Sequence, residues 1–515
     1  MPYYVLRPEQ MSRADHRTIE ELGVPSRVLM ELAGKEAAKI ISAEYPAEVR
    51  RGALVFCGTG NNGGDGAVIA RWLFLAGYPV TLVFGGEGEL SPDNRANLDI
   101  CGKLGIKTVG LSEADEQGQT GMLFAHHGII VDAIFGTGYR DREDPRMERL
   151  FAAMNAARAP RIAIDIPSGL AGDGSKTRAS VRADATLAIE ALKPAHIIRR
   201  EACGKLFVIP IGIPESYLRE EQGGILIDAG SCSFPYRSPQ GHKGSNGEVA
   251  IFAGTPGMSG AAILAGKAVL RAGAGYARLY HHPELTQVYG AQVPEIMPRA
   301  VPLNAAGRPE LKALGAELGE PEVILFGPGM GQGDYCAGLL RYVIEETQTP
   351  LVIDADGLNV LAKDKGLISR LRGRKAVLTP HWGEFCRLAG IGMDALGKDP
   401  LGELERYVAA TGLSILLKSH YSIYRDPERL YYITAGNDGL ATGGSGDVLS
   451  GIIASFMAQG ASPALAAANG AFLLGFTAEQ LAERRDTAAI MPSDVIEHLF
   501  EDNNLIDYKE KRCRD

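Results

Sequence analysis

The chain has 515 residues, 45% of them apolar and 22% charged, with a formal net charge of −9. Its length exceeds one ordinary core, so two or three domains are expected, and an acidic balance with no basic run argues against nucleic acid or an anionic membrane as partner. Its seven cysteines, at 57, 101, 203, 232, 336, 386 and 513, are odd in number and form no C-x-x-C pair, which points to free thiols in a reducing compartment rather than a disulfide framework or a zinc site.

The opening stretch MPYYVLRPEQMSRADHRTIEELG has no apolar signal region, and no uninterrupted apolar run reaches spanning length, so a cytoplasmic protein is expected. Residues 12–44 read as helical, with Val28, Leu29, Leu32 and Ala33 spaced for one buried face. ALVFC (53–57) reads as a strand ending in a glycine loop, followed by the helix AVIARWLFLAGY and the strand VTLVF (80–84). GIIVDAIFG (128–136), RIAIDIPSG (161–169), ATLAIEA (185–191) and KLFVIPIG (205–212) repeat the pattern of a buried strand with a polar or glycine tip. Near-continuous apolar strands separated by helices imply an α/β fold with a parallel sheet covered on both faces.

The tips of these strands carry candidate chemistry. GTGNNGGDG (58–66) contains a literal G-x-G-x-x-G at Gly58, Gly60 and Gly63, and Glu87 after the next strand can pass for a ribose acid. A plain dinucleotide site is therefore one reading. The other uses Asn61, Asn62 and Asp65, which can hydrogen-bond phosphate and ribose or coordinate a hard cation. Asp132 and Ser168 stand at two further tips and would complete an oxygen-only cation site with Asn62. Arg140 and Arg142 follow the glycine loop 136–138 and suit phosphate, and Asp165 precedes Ser168.

GNNGGDG, VDAIFGTG, DIPSG and ALKP (191–194) resemble the amino-terminal domain of the NAD(P)H-hydrate epimerases over about residues 1–215. The resemblance implies a Rossmann-like three-layer sandwich that acts on NADH or NADPH hydrated at C6 of the nicotinamide. It implies potassium at Asn62, Asp132 and Ser168. It also implies hydrate binding through Asn61, Asn62, Gly63, Gly64 and Asp65, through Gly136, Thr137, Gly138, Tyr139, Arg140, Asp141 and Arg142, and through Asp165. Acid assistance by Asp165 would let the ring nitrogen expel the C6 hydroxyl, and water returning to either face would interchange the epimers. Lys193 is a second acid/base candidate, with a surface strand-end lysine as the alternative. Leu32 stands where the family more usually has a polar residue.

Residues 213–240 change character, with Pro, Ser and Gly and little periodicity, so the boundary is set near 224, giving domains 1–223 and 224–515. EVAIFAG (248–254), EVILFGPGMG (322–331), PLVIDADGLNV (350–360), KAVLTPHWGEF (375–385) and SILLKSHYSIY (414–424) read as strands with polar or glycine tips. In open α/β sheets ligands gather at such tips. In NDGLATGGSGDVLSGIIASFMAQG (437–460) glycines precede Asp447, which opens an apolar helix. Glycine-freed amides and a helix N-terminus form an anion hole, and a carboxylate beside a bound phosphate is a candidate base for an attacking hydroxyl. His381, Glu384 and Lys418 stand on other tips; each taken alone also reads as an ordinary loop or surface residue.

GTPGMSGA, GPGMG, DADGLN, LTPHWGEF, LLK and ATGGSGDVLSGIIASFMAQG together resemble the ribokinase-like NAD(P)H-hydrate dehydratases over about residues 225–500. The resemblance implies a ribokinase-like three-layer sandwich, with Asp447 catalytic and in contact with the hydrate, and with Ala261, Gly329 and His381 lining the hydrate site. Lys418, Ser419, His420, Tyr421, Ser422 and Gly446 would bind the nucleotide, with Mg2+ beside its phosphates. Ser419 replaces a common glycine, and Leu440 a frequent methionine. Phosphorylation of the C6 hydroxyl by ADP or ATP would turn a poor leaving group into a good one; the resemblance to bacterial two-domain fusions favours ADP. The whole reads as a bifunctional repair enzyme that epimerises R and S hydrates and dehydrates the S form. Its expected partners are the two hydrates and the nucleotide, with no nucleic acid and no membrane, and it is expected to form a homo-oligomer. The alternative is a vitamin or sugar kinase fused to a non-catalytic nucleotide-binding module.

Overall fold

The structure is a computed structural model that describes residues 3–85, 88–111 and 120–501. Glu87 and Cys513 lie outside the described residues. Two compact units emerge, one of Tyr3–Gly224 with Lys398–Leu401, the other of Ile225–Gly397 with Gly402–Glu501.

The first unit contains β1 (Tyr3–Val5), β2 (Ala53–Cys57), β3 (Val80–Phe84), β4 (Lys107–Gly110), β5 (Ile129–Ala133), β6 (Arg161–Ile164), β7 (Ala185–Ile189) and β8 (Lys205–Ile209). Strands β2 to β8 form a seven-stranded sheet in the order β4-β3-β2-β5-β6-β7-β8, parallel at every pairing. Alternate residues of β2 face different cores: Val55 and Cys57 pack on one side, Leu54 and Phe56 on the other. This two-sided burial is why the strands read as continuous apolar runs. The order of the strands reverses between β2 and β5, the switch point where α/β sheets open a crevice at the carboxyl ends.

Two details differ from the sequence-based expectation. The span 12–44 is two helices, Pro8–Glu20 and Ser26–Glu44, separated at Glu21–Pro25. The buried stripe of the second comprises Leu29, Met30, Ala33, Ala37 and Ile41, whereas Val28 and Leu32 are 45% and 38% exposed. Each lies one residue, about 100° of helix, off that stripe. The second difference is the glycine loop after β2. It is short, because the helix already begins at Asn61 and runs to Leu75. A Cβ on Gly63 would lie 2.0 Å from the Gly58 carbonyl oxygen, and one on Gly64 2.6 Å from the Met30 methyl. These glycines let the helix start flush against its neighbours.

The second unit contains β9 (Gly224–Ile227), β10 (Glu248–Phe252), β11 (Tyr276–His281), β12 (Met297–Ala300), β13 (Val323–Phe326), β14 (Leu351–Ile353), β15 (Ala376–Leu378), β16 (Ser414–Lys418), β17 (Ser422–Arg425) and β18 (Leu430–Ile433). Its sheet runs β9-β18-β17-β16-β15-β14-β13-β10-β11-β12. Pairings from β16 to β12 are parallel, whereas β16–β17 and β17–β18 are antiparallel. The stretch 414–424, expected as one strand, is therefore a hairpin, and Ser419 closes its turn by donating its amide and its hydroxyl to the Tyr421 carbonyl, both at 2.9 Å. One sheet face packs Val249 and Ile251 with Ala262, Ala265, Val448 and Ile452 from the helices Ser259–Arg271 and Ser445–Ala458. On the other face Phe252 stacks on Tyr280 and Phe326. Among the described residues no helix is long and apolar enough to cross a membrane.

Gly63→Ala should destabilise the first unit by about 1–3 kcal/mol through overpacking, read as a lower urea midpoint for that unit. Gly60→Ala, where a Cβ meets nothing within 4 Å, should leave the midpoint unchanged.

Candidate active sites

At the carboxyl ends of β2, β5, β6 and β7 lies a cavity of about 550 Å³. Asn61, Asn62, Asp65, Gly136, Thr137, Gly138, Tyr139, Asp165 and Lys193 all line it. So do Met11, Asp15, Leu29 and Met30 from the first two helices, which the motifs did not reveal. Gly63 and Gly64 are buried in the packing described above and are not part of the lining. Arg140, Asp141 and Arg142 are exposed beyond it; Arg142 stands 3.8 Å from Asp144, and Asp141 accepts from the Tyr139 hydroxyl at 3.4 Å.

Asn62 is 9% exposed, and both polar atoms of its side chain are buried without a hydrogen-bond partner. Such an orphaned amide calls for a partner, an ordered water or an ion. Asp132 and Ser168, in contrast, satisfy each other: Oδ1 accepts from the serine hydroxyl at 2.5 Å and Oδ2 from its amide at 2.8 Å. Burial pushes the Asp132 carboxyl up to about 6 against these bonds. Among the described residues no group of three or more His, Cys, Asp or Glu side chains could hold a metal ion. Asn62, Asp132 and Ser168 offer oxygen donors with a single carboxylate, a chemistry that could hold a monovalent cation.

Gly136 separates Asn62 from Asp165: a Cβ there would meet the Asn62 Cγ at 3.3 Å and the Asp165 Oδ2 at 3.4 Å. Asp165 has φ 64° and is 7% exposed. Its Oδ1 accepts from Lys193 Nζ at 2.5 Å and from the Ile189 amide at 3.3 Å. Lys193 is 1% exposed, so the surface alternative for this lysine is wrong. Asp65 has its pKa raised well above the ordinary carboxylate range, chiefly by burial and then by the charges of Asp165 and Asp15, with Lys193 opposing.

In the second unit the strand tips bring a charged cluster together. Lys418 Nζ, at the end of β16, donates to Asp354 Oδ1 at 2.9 Å, just beyond β14. Asp354 is 2% exposed. A Cβ on Gly446 would lie 3.4 Å from that ammonium and 3.6 Å from Asp354 Oδ2, so the first turn of the helix Ser445–Ala458 abuts the ion pair. Asp447 follows. Its carboxyl is pushed up to about 7 by burial and by Asp354, with smaller contributions from Asp356 and Glu384, while Lys418 opposes them. Gly444 precedes the helix at φ 105°, and the Ser445 hydroxyl is buried without a partner.

His381 caps the helix Trp382–Ala389. Its Nδ1 accepts from the Gly383 and Glu384 amides at 3.0 and 3.4 Å, which leaves the hydrogen of the neutral ring on Nε2. Burial, Lys418 and Arg387 lower its pKa and keep it neutral. Glu384 accepts from the His381 amide at 2.9 Å, and burial pushes its carboxyl up to about 7. Ala261 and Gly329 meet at a neighbouring pair of tips, where a Cβ on the glycine would sit 3.1 Å from the alanine methyl. Ser419, His420 and Tyr421 form the hairpin turn, with His420 edge-on to the Tyr421 ring, and Ser422 pairs with Lys418. Asp354 and Asp356 were missed. DADGLN passes for an ordinary strand–turn–helix, although two carboxylates in D-x-D at a strand end were a signal. Asp356 Oδ2 accepts from the Gly331 amide at 2.8 Å and ties this tip to the GPGMG tip.

A family model described as NAD(P)H-hydrate dehydratase matches residues 249–500, and one described as the YjeF-related protein N-terminus matches residues 26–195. The bifunctional NAD(P)H-hydrate repair enzyme of Moorella thermoacetica is 34% identical over 508 residues, covering 96% of each chain. The enzyme of the same name from Escherichia coli is 32% identical over 511 residues, covering 97% of this chain and 94% of its own. Among solved structures, an ADP/ATP-dependent NAD(P)H-hydrate dehydratase from Bacillus subtilis, co-crystallized with ATP/Mg2+, is 25% identical over 54% of this chain and 94% of that one, with a TM-score of 0.46. Identity near one third along almost the whole chain, with both domains in order, establishes that this chain belongs to the family of bifunctional NAD(P)H-hydrate repair enzymes.

Proposed function

We propose that the first unit interconverts the R and S epimers of C6-hydrated NADH and NADPH, and that the second dehydrates the S epimer with ADP or ATP as phosphoryl donor. The observation that carries the second assignment is Asp447. Its carboxyl is pushed up to about 7, in the first turn of a glycine-preceded helix beside the Lys418–Asp354 pair. A base poised near the working pH is what an attacking hydroxyl requires.

In this reading Asp447 takes the proton of the C6 hydroxyl as its oxygen attacks the terminal phosphorus of the donor, and the bond to the remaining nucleotide breaks. Helix amides and Lys418 face the charge that develops on the transferred phosphoryl group. The nicotinamide nitrogen then expels phosphate from C6, and loss of a proton from C5 restores the dihydronicotinamide. The balance is one hydrate and ADP in, and one NAD(P)H, AMP and phosphate out; with ATP the nucleotide product is ADP. Ala261, Gly329 and the neutral His381 would position the hydrate, and the 418–422 hairpin the nucleotide. The carboxylates of Asp354, Asp356 and Asp447 outnumber Lys418 and, with a nucleotide bound, would hold a hard dication such as Mg2+, which would supply positive charge beside the phosphates.

In the first unit the nicotinamide nitrogen expels the C6 hydroxyl as it takes the proton shared by Asp165 and Lys193. Water then adds to either face of the planar iminium and returns a proton to the pair. The unpartnered Asn62, with Asp132 and Ser168, would hold potassium, which supplies positive charge beside the substrate.

Incubating mixed hydrate epimers with ADP or ATP should restore nicotinamide absorbance completely; a stable phosphate ester, as a kinase would leave, would overturn the assignment. Asp447→Asn should lower dehydration by about 10²–10⁴-fold while nucleotide affinity, measured by calorimetry, stays within a few-fold.

The sign of the pH dependence follows from the raised carboxyl. Below about 7 Asp447 is protonated and cannot accept a proton, so kcat/KM for dehydration should rise with pH through that value and level off above it. Glu384→Gln removes a charge that raises Asp447 and should move the midpoint to lower pH.

Replacing potassium by tetramethylammonium should slow epimer exchange, measured by chromatography. Potassium should raise the thermal midpoint of the unaltered protein and not that of Asn62→Leu.

A further inference from the structure

Asp165 does more than end a strand. The Ile166 amide donates to the Ile164 carbonyl at 2.8 Å, closing a three-residue γ-turn with Asp165 at its centre and φ 64°. This turn is rare and strained for a residue with a side chain, and such a conformation persists only when its surroundings over-determine it. The adjacent strand tip repeats the device: Ala191 donates to Ile189 at 2.8 Å around Glu190, at φ 60°. Glu190 braces its own turn, because its Oε2 accepts from the Ile211 and Ile213 amides at 2.7 and 3.3 Å. The carboxylate of Asp165 is shared with Lys193 and the Ile189 amide at the edge of the ligand cavity, and the carbonyl at the centre of this turn is held by a further residue.

That residue is His196. Its ring is 0% exposed. Nε2 contacts the Asp165 carbonyl oxygen at 2.8 Å, and Nδ1 contacts the Lys193 amide at 3.0 Å. A carbonyl only accepts and an amide only donates, so Nε2 carries the hydrogen and Nδ1 the lone pair. Burial and the Lys193 ammonium push the imidazole down to about 4, so this single neutral tautomer persists through the working pH range. Lys193 Nζ also donates to the Ile189 carbonyl at 2.9 Å, which links the lysine to the second γ-turn.

We infer that His196 is a positioning residue for epimer exchange: its Nε2–H donates to the Asp165 carbonyl and holds the strained turn, and so the carboxylate, in place against Lys193, while the Lys193 amide on Nδ1 fixes the tautomer that makes this donation possible. The inference rests on the proposed role of Asp165, and it assigns His196 no contact with substrate.

The test uses the full chain and two variants that each keep half of the ring's bonding. His196→Asn offers an acceptor near the Nδ1 position, and His196→Gln a donor near the Nε2 position. Exchange of NADH-hydrate epimers without nucleotide is followed by chromatography, with kcat and KM separated; the urea midpoint and the dehydration rate report folding. His196→Asn should lower kcat for exchange by about 10–100-fold with KM within twofold, and His196→Gln should recover most of the loss. Unchanged kcat in both variants would overturn the inference. So would equal losses in both, or losses that track the urea midpoint, since those outcomes describe a merely structural histidine. Should His196→Asn fail to fold, His196→Gln decides alone: near-complete kcat supports the inference, and a loss comparable to that of Asp165→Asn refutes it. Absence of exchange in the unaltered protein would remove the role of Asp165 and the inference with it.

Discussion

In each unit one lysine ammonium, buried at Lys193 and partly buried at Lys418, faces more carboxylates than it can neutralise. Lys193 pairs with Asp165 at 2.5 Å while Asp65 and Asp15 add negative charge nearby; Lys418 pairs with Asp354 at 2.9 Å while Asp447, Asp356 and Glu384 share its field. Coulomb attraction stabilises one carboxylate in each place. The next one is desolvated without full compensation, and its pKa rises. Asp65 and Asp447 are those second carboxylates. Buried charge of this kind costs folding free energy, and its concentration at strand tips marks sites built for chemistry rather than for stability.

Parallel sheets make such clusters accessible. Strand ends converge where the chain leaves the sheet, and each tip contributes one or two short polar side chains. In the first unit the reversal of strand order between β2 and β5 opens the crevice, and Asn62, Gly136 and Asp165 reach it from different connections. In the second, β14, β15 and β16 lie side by side, so Asp354, His381 and Lys418 are neighbours although 64 positions separate the first from the last. Glycines permit the close approach: Gly136 leaves room between Asn62 and Asp165, and Gly446 leaves room beside the Lys418–Asp354 pair.

Much of this is legible in the sequence because a buried parallel strand announces itself twice, by an apolar run and by the abrupt polar or glycine tip. ALVFC, VTLVF, EVAIF and SILLK all appear as strands at those positions. Less legible are features decided by packing between distant segments. Asn61 to Asp65 look like a loop by composition, yet they are helical because Gly63 and Gly64 let that turn sit flush on Gly58 and Met30. Val28 and Leu32 look buried by spacing, yet the stripe that meets the core passes beside them. The hairpin at 419–421 hides in an apolar stretch until the serine's bonds to the Tyr421 carbonyl appear. His196 sits among apolar residues in PAHII and gives no sign of its two partners, because a γ-turn at Asp165 cannot be read from composition.

Asp447 is a carboxylate left short of positive charge. Carbon-13 NMR of protein labelled at the aspartate carboxyl groups measures this directly in the nucleotide-free state. One resonance should titrate near 7 and disappear in Asp447→Asn. Titration of that resonance in the ordinary aspartate range, about 4, would contradict it.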